Sequence, residues 1–120
     1  MPIATYFSLS KIIWLIENVE AVKSALVNDD ISFGTIDSWL LYKLTGNHLT
    51  DITNASRTLM FNLYTSDWND KILNHFNIPR SALPTIKPSL SLFAKTTNLF
   101  NKVPITAVLG DQQASLFGHK

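Results

Sequence analysis

The chain has 120 residues, 46% of them hydrophobic and 16% charged, a composition that supplies a core for one domain and excludes a disordered chain. Ten basic residues stand against nine acidic ones with no basic run, which argues against nucleic acid or an anionic membrane as main partner and for a small molecule. There is no cysteine, hence no disulfide framework or thiolate metal site; with no secretory leader and no apolar run near the ~20 residues of a bilayer span, a cytoplasmic location is expected.

Met1 to Thr5 offers no cap and no pattern and reads as a cut end. From Ser8 the residues Ile12, Ile13, Leu15, Ile16 and Val19 recur at helical spacing, with Lys11, Trp14 and Asn18 on the other side. Ser8 or Ser10 is the expected cap. Trp14 on the polar side implies that more protein covers that face. A second piece, Glu20 to Asn28, turns Val22, Ala25 and Leu26 inward and ends at Asp29 and Asp30. Within Ile31 to Gly46 a third helix is expected, capped by Thr35 and stopped by Gly46. Ile36, Trp39, Leu40 and Leu44 are its expected buried stripe, and Asp37 suits the positive end of its dipole.

His48 to Asp51 is an extended link, and Thr53 to Thr58 a structured loop rich in side chains that bind nearby backbone. The sequon Asn54-Ala55-Ser56 carries little weight without a leader, and Arg57 is expected in a structural ion pair. Leu59, Phe61 and Leu63 alternate as in a strand. Ser66 or Asp67 is the expected cap of a fourth helix with Trp68, Ile72, Leu73 and Phe76 on its apolar face; Asn77 and Pro79 close it, and Pro79 to Leu83 make a further turn. A lone His75 beside Phe76 has no second ligand at metal spacing and reads as surface or packing. Lys87 to Lys95 alternates as a strand, Leu90 and Leu92 on one side and Phe93 interrupting the pattern. Thr96 to Lys102 is a connector.

Ile105 to Leu109 is nearly continuous apolar sequence rich in β-branched residues, the pattern of a strand buried on both faces. Gly110 then permits a sharp turn, Asp111 stands where a helix N-cap would stand, and Gln112 to Phe117 follow as a helix with Gly118 as its stop. A carboxylate at the carboxyl end of a strand is placed either to meet a ligand or simply to cap its helix.

Several strings resemble the FGGY carbohydrate kinase family. Tyr6-Phe-Ser-Leu-Ser-Lys11-Ile-Ile-Trp14-Leu-Ile-Glu17-Asn18 is similar to its N-terminal signature, with Ser8, Lys11, Trp14, Glu17 and Asn18 at the family spacing. Phe33 to Leu40, Lys43 to Gly46 and Thr53 to Leu63 also resemble it, and Gly110-Asp111-Gln112-Gln113 points within the family to the branch that phosphorylates glycerol. The resemblance runs from Tyr6 to Gly118. It implies an α/β fold, part of an actin-like or ribonuclease H-like ATPase domain with a mixed sheet and flanking helices. It also implies that residues 1–120 are the later portion of the N-terminal, substrate-binding domain, the C-terminal ATP-binding domain and the first phosphate-binding segment lying elsewhere.

Carried onto this sequence, the resemblance makes Asp111 the general base that takes the proton of the attacking glycerol hydroxyl, and Gln112 a residue that hydrogen-bonds the substrate. Tyr6 would line the pocket and bond a substrate hydroxyl, although by itself it also reads as core packing. Gln113 reads as structural. ATP and Mg2+ are the implied cofactors of the full-length enzyme, yet no Walker-type or Gly-x-Gly-x-x-Gly run exists here, so the fragment is expected to be inactive alone. The longer glycine-rich loop common in that branch is missing near residues 96–102, which leaves regulation open; homo-oligomerisation is open as well. The alternatives are a kinase for another sugar or polyol, and a truncated, non-catalytic module.

Overall fold

The computed structural model describes residues 4–97 and 102–119. In chain order the elements are α1 (Ser8–Asn18), α2 (Glu20–Val27), α3 (Ile36–Thr45), β1 (Leu49–Asp51), α4 (Ile52–Ala55), β2 (Phe61–Asn62), β3 (Asp67–Trp68), α5 (Asp70–His75), a 3-10 turn (Arg80–Ala82), β4 (Thr85–Lys87), β5 (Leu90–Lys95), β6 (Pro104–Ala107) and α6 (Asp111–Gly118). The architecture is mixed α/β, as expected, although among the described residues the strands pair as three two-stranded sheets. No described helix is long and apolar enough to cross a membrane. Part of the terminal segment Met1 to Thr5 and most of the connector Thr96 to Lys102 lie outside the described residues.

The chain divides into two compact units. The first joins Met1–Phe33 to Ser56–Pro84. Here α1 forms where the apolar spacing predicts, with Leu9 and Ile12 buried. Its cap differs: Phe7 occupies that position without a side-chain bond, Ser8 is already helical, and the Ser10 hydroxyl turns back to the Phe7 carbonyl (2.9 Å). Trp14 is 58% exposed, the odd position its sequence neighbours imply. The Leu9 N–H donates to the Thr58 carbonyl (3.1 Å) and the Phe33 N–H to that of Ala82 (2.7 Å), so two backbone bonds tie the segments of this unit.

The expected Leu59 to Leu63 strand and Ser66 or Asp67 cap are both corrected. Leu59 and Ser66 adopt positive φ, leaving a two-residue antiparallel ladder of Phe61 and Asn62 against Trp68 and Asp67. The cap of α5 is Asn69, whose side chain accepts from the backbone N–H of Lys71 and Ile72. Trp68 is buried in front of the helix, its indole N–H satisfied by the Pro84 carbonyl at 2.8 Å. Arg80 on the 3-10 turn pairs with Asp67 and Asp70, and His75 lies exposed with its ring edge-on to Phe76.

The second unit joins Gly34–Ala55 to Thr85–Lys120. Gly46 ends α3 in the left-handed region (φ 74°), which its missing Cβ makes inexpensive. Thr35 holds the cap position, but its hydroxyl donates to the Asp37 carboxylate instead of accepting from backbone. The expected stripe of α3 is corrected too. Ser38, Leu41 and Thr45 are the buried residues, whereas Ile36, Trp39 and Leu40 are exposed. What selects that face is long-range packing: Leu41, Leu49 and Phe93 form a buried cluster with Ala94, Ile105 and Val108 against it. Burying side chains of this size contributes about 1.5–3 kcal/mol each.

Strand β1 lies parallel to β4, with Leu49, Thr50 and Asp51 opposite Thr85, Ile86 and Lys87. Strands β5 and β6 run antiparallel, with a register shift between Leu90 and Ala94. Phe93, which breaks the alternation in the sequence, is the residue β5 buries, and Leu90 and Leu92 are exposed. Ile105 to Leu109 is therefore not a strand covered on both faces. Pairing in β6 ends at Ala107, and within Pro104 to Ala107 only Ile105 is even half-buried.

Candidate active site

The segment that follows β6 carries the acidic residue the sequence singles out. Gly110 occupies the cap position of α6 with extended backbone (φ −60°, ψ 153°), so Asp111 is the first helical residue and not the cap. A carboxylate there still meets the positive end of the helix. No special backbone angle requires a glycine at 110, and its open side faces Thr53 and Gln113. A Cβ at this position would come within 2.8 Å of the Gln113 Oε1 atom and 3.4 Å of the Thr53 hydroxyl. Asp111 is exposed, its Oδ1 accepting the Gln112 N–H at 2.9 Å, and Gln112 is exposed beside it. A base must reach a substrate proton and an amide must reach a polyol, so exposure is what both roles demand. Gln113, packed toward Gly110, fits the structural role read from sequence.

Beneath this turn lies a residue that sequence reasoning passed over. Asp51, the last residue of β1, has no exposed surface. Its Oδ2 accepts from the Thr53 N–H (2.9 Å), the Thr53 hydroxyl (2.6 Å) and the Ser89 hydroxyl (2.6 Å). Its Oδ1 accepts from the Asn54 N–H (3.0 Å) and side-chain amide (2.7 Å), in the manner of a helix cap for α4. Burial alone would raise its pKa, but the bonds from Ser89, Thr53 and Asn54 outweigh that and hold the carboxyl below the ordinary value. Thr53 in turn accepts the Gly110 N–H at 2.7 Å. The signal that could have found Asp51 is Asp-x-Thr-Asn directly after a short extended run, the pattern of a side chain that binds the backbone two and three residues on.

Tyr6 belongs to the first unit, Asp111 and Gln112 to the second. Tyr6 is 63% exposed, with its ring edge-on to Phe7 at 5.5 Å. The Arg57 guanidinium lies over the same ring at 5.7 Å and donates to the phenol oxygen. That bond occupies a lone pair and leaves the phenol proton available to an acceptor. The core-packing role is thus not the one Tyr6 has in this unit. Asp37, expected at a helix terminus, lies in the first turn of α3 and accepts from the Thr35 and Thr50 hydroxyls, the latter at 2.7 Å. Among the described residues no group of three or more His, Asp or Glu side chains is placed to hold a metal ion.

The N-terminal domain model of the FGGY family of carbohydrate kinases matches residues 1–118. A glycerol kinase of Burkholderia pseudomallei is 45% identical over 122 residues, an alignment that takes in 98% of this chain and 24% of that protein. The crystal structure of Plasmodium falciparum glycerol kinase with ADP superposes with a TM-score of 0.90 at 39% identity, over 96% of this chain and 24% of that one. A gluconate kinase of Lactobacillus acidophilus, at 24% identity and a TM-score of 0.82 over 96% of this chain and 24% of its own, shares the fold. The chain thus spans about a quarter of the length of the relatives it matches. Its fold is that of sugar kinase N-terminal domains, of the actin-like ATPase type, and this chain belongs to the FGGY family of carbohydrate kinases.

Proposed function

We propose that this chain is the later portion of the N-terminal domain of a longer kinase that phosphorylates glycerol with ATP, and that it contributes the general base and part of the glycerol pocket. The support is the exposed carboxylate of Asp111 on the first turn of α6, set on a turn anchored by the Thr53 hydroxyl, together with the similarity to glycerol kinases along nearly the whole chain. In the reaction a glycerol oxygen forms a bond to the γ-phosphorus of ATP while the bond to the β–γ bridging oxygen breaks and ADP leaves. The proton of the attacking hydroxyl passes to Asp111. Gln112 donates and accepts at a neighbouring hydroxyl, and Tyr6 offers its phenol proton and an apolar ring face. Such a base contributes about 10²–10⁴-fold in rate.

ATP and Mg2+ would be held by segments other than these residues, a reading that rests on the sequence, which carries no Walker-type or Gly-x-Gly-x-x-Gly run. A substrate panel on the complete protein tests the specificity. The expected result is a kcat/KM for glycerol at least ~100-fold above those for pentoses and gluconate, since a site built to hydrogen-bond one polyol leaves polar groups unpaired with another. A preference for a pentose or for gluconate would move the protein to another branch of the family. No phosphorylation of any polyol would refute the assignment.

A further inference from the structure

Asp51 cannot exchange a proton with a substrate, because no part of it reaches solvent. Its contacts converge on one place. The Thr53 hydroxyl has a single proton, and donating it to Asp51 at 2.6 Å turns the oxygen lone pairs toward the Gly110 N–H, which they accept at 2.7 Å. Gly110 is one peptide bond from Asp111. Ser89 supplies a second thread: its hydroxyl donates to Asp51 at 2.6 Å, while its carbonyl accepts the Val108 N–H at 3.0 Å. One buried carboxylate therefore fixes the backbone at both Val108 and Gly110, the stretch that delivers α6. A Cβ at Gly110 would meet the movable end of the Gln113 side chain at 2.8 Å, with Thr53 and Asn54 at ordinary contact distance.

We infer that Thr53, with its hydroxyl oriented by Asp51, is a positioning residue for the base, a latch that sets where the Asp111 carboxylate stands. The inference rests on Asp111 being the base. An ordered turn matters because a displacement of ~1 Å at a reacting group can cost on the order of 100-fold in rate. Thr53→Val keeps the shape of the side chain but can neither accept from Gly110 nor donate to Asp51. Thr53→Ser keeps both bonds and loses only a methyl.

The test is glycerol phosphorylation by the complete protein carrying Thr53→Val, Thr53→Ser or Asp111→Asn, each checked by thermal melting. Expected is a kcat for Thr53→Val about 10–100-fold below wild type with KM for glycerol changed less than ~3-fold, and recovery to within ~3-fold in Thr53→Ser. A natively melting Thr53→Val with kcat within ~3-fold of wild type overturns the latch. So does a Thr53→Ser as impaired as Thr53→Val. Should Thr53→Val fail to fold, hydrogen exchange at the Gly110 amide of the wild type decides: protection supports the bond to Thr53, and exchange at the rate of an open loop overturns it. Near-normal turnover of Asp111→Asn, with Gly110 still protected, removes the base reading and leaves the bond as architecture only.

Discussion

Two aspartates sixty residues apart in sequence, Asp51 and Asp111, both sit at the start of a helix in the same unit, yet they have opposite environments. Asp51 is wholly buried and spends its oxygens on Thr53, Asn54 and Ser89. Asp111 is exposed on a helix with no buried residue, its Oδ1 turned to the backbone of Gln112. The difference separates two tasks that residue type alone does not. A carboxylate with its lone pairs committed to internal donors is a scaffold, and one at the surface of a fixed turn is able to take a proton from a ligand. A structure that placed the two the other way round would need a different reaction.

The contrast predicts unequal stability effects, and the largest belongs to Asp51. Replacing it with Ala leaves the hydroxyls of Thr53 and Ser89 and the amides of Thr53 and Asn54 without their acceptor, at a cost of about 3 kcal/mol. Denaturant unfolding of the complete protein reads this directly. Next is the acid limb. The folded pKa of Asp51 lies below the ~3.9 of an unfolded Asp, so its stabilisation is complete above pH ~4 and is lost as pH falls through the lowered folded value. Asp51→Asn should flatten stability against pH in that range, and an unchanged acid limb would contradict the assigned environment. Smallest is Asp111→Asn, which gives up a favourable charge at a helix N-terminus but keeps an oxygen for the Gln112 N–H, and should cost less than about 1 kcal/mol. A loss comparable to that of Asp51 would erase the contrast.

Much of this was legible in the chain. The spacing of Ile12 with its neighbours gave α1, Gly46 marked its helix end through a conformation other residues avoid, and Pro104 to Gly118 read as strand, turn and helix. What the sequence hid depends on partners far away in it. Asp51 becomes buried through β4, whose Lys87 lies opposite it, and through Ser89 just beyond. The buried face of α3 is chosen by Leu49 and Phe93, not by the helix itself, so its most apolar face was the wrong guess. Gly110 was expected to permit a sharp turn, yet its backbone is ordinarily extended (φ −60°, ψ 153°), and the Thr53 hydroxyl that holds its N–H is visible only in the fold. Asn69 displaced Ser66 and Asp67 as a cap because the Phe61 to Trp68 hairpin claims those positions first.

The most direct test of the division of labour is turnover at saturating glycerol and ATP by the complete protein and its Asp111→Asn variant, with glycerol binding measured alongside. The amide keeps the size and loses the basicity. If Asp111 is the base, kcat falls by about 10²–10⁴-fold while the glycerol Kd changes by less than about 10-fold. A variant that turns over glycerol at near wild-type rate would show that the proton goes elsewhere.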